Sequence, residues 1–156
     1  MNMKKILALI LCAVCLLGVF TGCGGDEKKA LSAEALSADL LANANFTDSL
    51  NALDAPVVPL LYGVDAADYK TCAVYCGTGA TAEEIAVFEA VDEAAAGRIL
   101  AAAKARVAAQ IETYKDYGPE DARMLEGAIV KQSGVFVVVA VCADGDSAAK
   151  VVDQYI

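Results

Sequence analysis

The sequence predicts an α+β fold in which a four-stranded, mainly antiparallel sheet is covered by helices. In the C-terminal part of the chain, the patterns follow the order strand, strand, helix, strand, strand, helix. Residues 135–141 form an unbroken apolar run, which is typical of a strand buried on both faces. Residues 92–117 repeat apolar residues at helical spacing, which predicts a long helix against the sheet. An N-terminal helix at 33–43, capped by Ser32, precedes these elements.

The first two strands are predicted to form a hairpin. Residues 71–76 and 84–90 are rich in apolar, β-branched and aromatic side chains, and Gly77-Thr78-Gly79 supplies a turn between them. Thr81-Ala82-Glu83-Glu84 also matches a capping box, the pattern that begins a helix. We expect at most one helical turn there and then a strand, because β-branched and aromatic residues gather at 85–88.

The long helix is expected to begin after Asp92 and to end at Gly118-Pro119. Its high alanine content favours helix formation. The apolar face consists of Ile99, Leu100, Ala103, Val107, Ile111 and Tyr114. The polar residues that lie mostly off this face are Arg98, Lys104, Glu112 and Lys115.

The other elements are shorter. Between residues 46 and 69, Pro56 and Pro59 exclude a long helix, so we expect short turns that pack on the core and a stop at Gly63. Residues 120–125 indicate one helical turn.

The second hairpin is predicted from strands at 128–132 and 135–142, with Ser133-Gly134 as its two-residue turn. Residues 144–147 then form a turn and cap, and residues 148–156 are expected to form the C-terminal helix, which packs on the sheet like the long helix.

The N-terminus has the pattern of a signal peptide. Lys4 and Lys5 precede 15 uncharged residues, 6–20. A helix of this length spans roughly 22 Å, which is short for a bilayer core of about 30 Å and fits a cleaved leader. Phe20-Thr21-Gly22-Cys23 resembles the bacterial lipobox, although Phe20 stands where leucine is usual. The alternatives are an uncleaved anchor and an ordinary secretory leader.

These patterns divide the chain into three segments. Residues 1–22 are the predicted lipoprotein signal peptide, and the lipobox resemblance implies Cys23 as the site of lipid attachment. Residues 24–29 are polar and begin with two glycines, which predicts a lipidated tether over residues 23–31. Residues 32–156 are expected to form a single α+β domain.

The composition limits the function classes. The chain has 21 acidic and 12 basic residues and a net charge of −9. This acidity argues against a nucleic-acid partner, because phosphate backbones require basic surfaces. The absence of histidine excludes Ser-His-Asp and Cys-His nucleophile arrangements within the chain. We therefore expect a protein that is not an enzyme and requires no cofactor.

Two motifs suggest ligands but have simpler interpretations. Gly77-x-Gly79-x-x-Ala82 matches a dinucleotide fingerprint, yet Glu83-Glu84 would lie beside the phosphates and a strand follows, so we expect a hairpin loop and no nucleotide. Cys72 and Cys76 would lie about 13 Å apart on one strand, too far for a disulfide. Cys142 could pair with either of them across the sheet, but buried free cysteines are the favoured interpretation.

Four pairs of acidic residues are candidate sites. Asp65-Ala66-Ala67-Asp68 and Asp144-Gly145-Asp146 contain oxygen ligands suited to calcium, but turn and helix-cap roles are expected and no metal site is predicted. Glu83-Glu84 and Glu120-Asp121 have the composition of acid–base pairs, but a solvated face is expected for both.

Several segments carry a family resemblance. They are Leu61-Tyr62-Gly63-Val64-Asp65, residues 79–88, the helix with Arg106 and Gln110, and Tyr117-Gly118-Pro119-Glu120. Together they resemble a DUF4358-like domain-of-unknown-function family of lipoproteins from Gram-positive, clostridial-type anaerobes, over roughly residues 31–156. The resemblance implies an envelope lipoprotein and supplies no catalytic residues.

We therefore expect a lipoprotein anchored through Cys23 to the outer face of the bacterial cytoplasmic membrane. Its expected role is that of a non-enzymatic accessory or binding protein with an envelope protein or cell-wall partner. The alternatives are a ligand-binding lipoprotein that serves a transporter and, less favoured, an envelope enzyme that uses carboxylates.

Overall fold

The computed structural model describes residues 28–156, so the predicted signal peptide and Cys23 lie outside the described residues. Every neighbouring pair of strands in the single sheet is antiparallel, and the order across the sheet is β1-β2-β3-β5-β4. The strands are β1 (Asn51–Ala52), β2 (Tyr69–Cys76), β3 (Glu84–Ala90), β4 (Ile129–Ser133) and β5 (Phe136–Val141).

The prediction of four strands is wrong, because β1 adds a fifth strand. It contains only Asn51 and Ala52, which pair with Cys76 and Tyr75 at the edge of the sheet. Two exposed residues cannot display the alternation of apolar and polar side chains from which a strand is recognised.

The described helices are α1 (Ala33–Asn43), α2 (Val58–Tyr62), a 3₁₀ turn (Ala66–Asp68), α3 (Glu93–Tyr114), α4 (Pro119–Glu126) and α5 (Gly145–Val152). Ser32, Asp92 and Asp144 cap α1, α3 and α5 by accepting a hydrogen bond from a backbone N–H in the first turn. The caps at Ser32 and Asp92 were predicted correctly, and the long helix ends at Tyr114, before the expected stop at Gly118-Pro119. None of the helices in residues 28–156 is long and apolar enough to cross a membrane.

The predicted order of elements also needs correction. Residues 119–126 form a separate helix of eight residues, so two helices stand between β3 and β4. Pro119 occupies the first turn of α4, where its missing N–H costs no hydrogen bond. The β4–β5 turn consists of Gly134-Val135, one residue later than expected. Helix α5 begins three residues earlier than predicted and ends at Val152.

Helices cover both faces of the sheet and enclose two cores. Helices α1 and α5 pack on one face, where the buried residues include Leu36, Leu40, Ile85, Val87, Val138 and Val151. Helices α2, α3 and α4 pack on the other face, where they include Tyr62, Phe88, Ile99, Leu125, Val137 and Val139. The apolar face predicted for the long helix is confirmed, since each of its residues belongs to this second core or packs against it.

Strand β5 is buried along nearly its full length, as the unbroken apolar run predicted. It lies between β3 and β4, and the side chains of Val137, Val138 and Val139 are fully buried. Because successive side chains point to opposite faces, the strand contributes to both cores.

Candidate functional site

A cleft of about 240 Å³ opens where β2 ends and β3 begins. Its lining includes the β2–β3 loop, residues 77–83, and Glu84 at the start of β3. Helix α3 contributes Arg106 and Gln110, which lie on the same helix face because they are four residues apart.

A second cleft of about 500 Å³ lies between α2 and α3. It shares Leu61, Arg106 and Gln110 with the first cleft, so the two form adjacent compartments on either side of these side chains. We call the two clefts together the α2–α3 groove. Its apolar lining in the second compartment consists of Leu60, Leu61, Ala102, Ala105 and Ala109.

An ion pair between Glu84 and Arg106 lies in this groove. Arg106 Nε donates to Glu84 Oε1 at 3.1 Å, and Nη2 donates to Oε2 at 2.5 Å. The side chains are 4% and 17% exposed, so the pair is well shielded from water. This two-pronged geometry is the one that best suits a guanidinium and a carboxylate.

Tyr62 and Cys76 complete the surroundings of Glu84. The Tyr62 hydroxyl donates to Glu84 Oε1, and the Cys76 thiol lies 3.6 Å from Oε2. The Arg106 guanidinium also stacks on the Tyr62 ring, 5.2 Å from its centroid, and the ring packs edge-on against Phe88. The carboxylate therefore has four donors around it.

These contacts shift the titration of the neighbouring groups. Burial, reinforced by the adjacent Glu84 carboxylate, raises the pKa of Cys76 to about 12. Burial and Glu84 also raise the pKa of Tyr62 well above its ordinary value. Burial alone would lower the pKa of Arg106, but its hydrogen bonds to Glu84 hold that pKa above the usual range. At neutral pH the thiol and the phenol are therefore protonated and the guanidinium is charged.

The side-chain oxygen of Gln110 makes no hydrogen bond within the described fold. Its Oε1 is buried and has no hydrogen-bond partner among residues 28–156. An unpaired buried acceptor costs about 1–3 kcal/mol. Arg106 beside it uses Nε and Nη2 for Glu84, while Nη1 has no partner among the same residues. One acceptor of Gln110 and one donor of Arg106 therefore have no hydrogen-bond partner within the described residues.

The loop that lines the first cleft is held by carboxylates. Asp48 accepts hydrogen bonds from the backbone N–H and the hydroxyl of Thr78, and Asp121 accepts one from the N–H of Ala82. A Cβ atom at Gly77 would stand 2.7 Å from Asp48 Oδ2, so a side chain at this position would displace the Asp48 carboxylate. The predicted hairpin loop at Gly77-x-Gly79-x-x-Ala82 is confirmed.

Glu83 and Glu84 are both buried, so the expectation of a solvated face is wrong for this pair. Glu83 is the last residue of the β2–β3 loop and Glu84 the first residue of β3, and they bind different partners. Glu83 is 1% exposed and accepts hydrogen bonds from the backbone N–H groups of Thr47, Asp48 and Ala143. Glu83 therefore connects the β2–β3 loop to the segments that contain Thr47-Asp48 and Ala143. Glu84 binds Arg106 in the groove.

The remaining acidic pairs have structural roles. Asp65 caps the 3₁₀ turn, Asp68 binds Arg98, and Asp144 caps α5. Asp146 lies in the first turn of that helix. In the Glu120-Asp121 pair, Glu120 is exposed, and Asp121 accepts the hydrogen bond from the N–H of Ala82. Residues 28–156 contain no group of three or more Cys, Asp or Glu side chains placed to hold a metal ion.

The cysteines at 72, 76 and 142 are free thiols, as expected, but only Cys142 is buried, whereas Cys72 and Cys76 are half-buried. Cys72 and Cys76 pack against the core beneath α3, whereas Cys142 belongs to the core beneath α1 and α5. The alternative disulfide from Cys142 is therefore wrong, because the sheet separates the thiols.

The groove residues Tyr62, Glu84, Arg106 and Gln110 received no functional role from the sequence. They come from three of the segments that carry the family resemblance, and the fold brings these segments together. A signal for Glu84 was present, since alternation along the strand places it on the same face as Ala86 and Phe88.

Comparison with known proteins gives one family. The family model described as "Domain of unknown function (DUF4358)" matches residues 43–142, well over half of the chain, and includes every groove residue named above. No curated protein and no solved structure matches the chain. The chain therefore belongs to the family defined by this domain of unknown function, DUF4358.

Proposed function

We propose that this protein is a lipid-anchored, non-enzymatic binding protein on the outer face of the bacterial cytoplasmic membrane. Cys23 is its point of attachment, and the α2–α3 groove is its ligand site. The proposed ligand belongs to an envelope protein or to a cell-wall component.

The proposal rests on one relationship, which is that the groove and the entry of the chain lie on opposite faces of the sheet. Lys28 Nζ donates to the carbonyl oxygens of Asp153 and Ile156, and Lys29 N donates to that of Gln154. This holds the start of the described chain beside the end of α5, in the layer of α1 and α5. The groove lies in the opposite layer. An anchor at Cys23 would therefore join the domain on the side of the sheet opposite to the groove.

The chemistry of the groove supports binding in preference to catalysis. Glu84 is surrounded by four donors, and these hydrogen bonds occupy both of its carboxylate oxygens. The Cys76 thiol has a pKa of about 12, which leaves almost no thiolate for nucleophilic attack at neutral pH. The groups left for a ligand are the Nη1 donor of Arg106 and the Oε1 acceptor of Gln110.

The anchor is tested by growing cells with radiolabelled palmitate. We expect the wild-type protein to incorporate label and to sediment with membranes, and Cys23→Ala to incorporate none, because two acyl chains suffice for stable attachment. Cys72→Ala is the matched control and should label like wild type. Equal labelling of Cys23→Ala and wild type would contradict the anchor.

The ligand site is tested by photo-crosslinking in living cells. Leu60 on α2 is 84% exposed beside the groove, and Leu41 on α1 is exposed on the opposite side of the sheet. A photoreactive phenylalanine analogue at Leu60 should give a discrete crosslinked product, whereas the same analogue at Leu41 should not. The same product from both positions, or a product from Leu41 only, would contradict a ligand site in the groove.

A further inference from the structure

We infer that the α2–α3 groove binds a peptide segment in extended conformation and recognises its main-chain amide groups. This inference rests on the proposed function, because it names the ligand class of the same groove. Arg106 and Gln110 are the recognition residues, and the apolar compartment receives a side chain of the peptide.

The unused polar groups match a peptide main chain. Arg106 Nη1 is a donor without a partner among residues 28–156, and Gln110 Oε1 is a buried acceptor without one. The two residues are neighbours on one face of α3. In an extended peptide, the N–H and C=O of one residue point to the same side, which allows paired hydrogen bonds to a facing partner. The carbonyl would accept from Arg106 and the N–H would donate to Gln110.

The adjoining compartment is suited to an apolar side chain. It has a volume of about 500 Å³ and is lined on the α2 side by Leu60 and Leu61 and on the α3 side by alanines. Leu60 itself is 84% exposed, and a side chain bound there would remove apolar surface from water. An apolar residue next to the recognised amide would occupy this space.

The charge of the groove favours a neutral ligand. Glu84 neutralises Arg106 in a shielded pair, so the groove has no excess positive charge to attract an anion. The chain as a whole carries a net charge of −9, which disfavours phosphorylated or carboxylated ligands further. An amide group is neutral and offers both a donor and an acceptor.

The test compares two probes by calorimetric titration of the full chain in a non-ionic detergent. The first probe is the blocked tripeptide acetyl-Ala-Leu-Ala-amide, and the second is the depsipeptide in which an ester oxygen replaces the leucine N–H. Wild type should bind the amide about tenfold more tightly than the ester, because the ester leaves Gln110 Oε1 unpaired. Gln110→Met should bind both probes equally and weakly. Gln154→Met is the matched control on the opposite layer and should behave like wild type.

Two results would overturn the inference. One is the absence of saturable heat from the amide probe up to roughly 10 mM. The other is equal affinity of wild type for the amide and the ester. The titration and the crosslinking experiment at Leu60 can fail independently of each other. A crosslink from Leu60 with no binding of the amide probe would reject the peptide and retain the groove, whereas failure of both experiments would reject the groove itself.

Discussion

Glu84 and Arg106 form a shielded ion pair that joins the first residue of β3 to the middle of α3. A second ion pair on the same helix, between Arg98 and Asp68, has an arginine side chain that is 60% exposed. The two pairs have the same chemistry and differ in burial. Comparing the two pairs therefore measures how burial in the groove changes the contribution of an ion pair to the free energy of unfolding.

Arg106→Met should destabilise the fold far more than Arg98→Met. Removing Arg106 leaves the Glu84 charge buried without its partner, which typically costs about 3–5 kcal/mol. Loss of an exposed pair typically costs about 0.2–1 kcal/mol. Urea denaturation of both variants measures the difference in free energy of unfolding. Equal losses would show that the Glu84 carboxylate is not desolvated and that the groove does not shield this ion pair from water.

Glu83→Ala should lower the free energy of unfolding by more than about 2 kcal/mol, since it leaves three backbone N–H groups without their acceptor. Glu120→Ala, on the exposed side of α4, is the control and should stay within about 0.5 kcal/mol. Denaturant midpoints of the two variants provide the measurement. A neutral Glu83→Ala would mean that Thr47, Asp48 and Ala143 are not held by this side chain.

The packing of α3 on the sheet is tested by three alanine substitutions. Val139→Ala and Val107→Ala should each cost more than about 1 kcal/mol, because both side chains are buried in the core beneath α3. Lys104→Ala should stay within about 0.5 kcal/mol, because Lys104 is exposed. A costly Lys104→Ala together with two neutral valine variants would mean that the helix is rotated from the orientation described.

The Cys76 thiol should be unreactive at mildly alkaline pH. Its pKa of about 12 lies above the ordinary value of 9.0, so the folded protein retains a proton that the unfolded chain releases. The stability from this thiol is therefore complete below pH 9.0 and is lost as the pH rises towards 12. At pH 8, iodoacetamide should modify Cys76 at least about 100-fold more slowly in the native protein than in urea. Mass spectrometry of the Cys76 peptide gives both rates, and similar rates would contradict the burial of this thiol beside Glu84.

The elements found from the sequence are those with a long periodic pattern. The face of α3 from Ile99 to Tyr114 and the apolar run in β5 each extend over enough residues for the period to be visible. Strand β1 has two residues and therefore no period. Helix α4 begins immediately after the break at Gly118, and its eight residues were visible only as one helical turn.

The groove could be predicted only in part, because its contacts join distant segments. Glu84 is 22 residues from both Tyr62 and Arg106, and no local pattern indicates that they meet. The solvated face expected for Glu83 and Glu84 followed from their charge, since paired carboxylates are usually exposed. Their burial depends on donors supplied by α2, α3 and two loops, and these become neighbours only in the folded chain.

The proposed role of Gln110 in binding a ligand carries a cost in stability, and Gln110→Met tests this role most directly. Methionine has a similar volume and no strong acceptor, so the variant removes an unpaired buried oxygen while filling the same space. We expect the free energy of unfolding, measured by urea denaturation against wild type and Gln154→Met, to rise by about 1–3 kcal/mol. A fall of about 1 kcal/mol or more would contradict the claim, because it would show that the Gln110 amide stabilises the fold and is not reserved for a ligand.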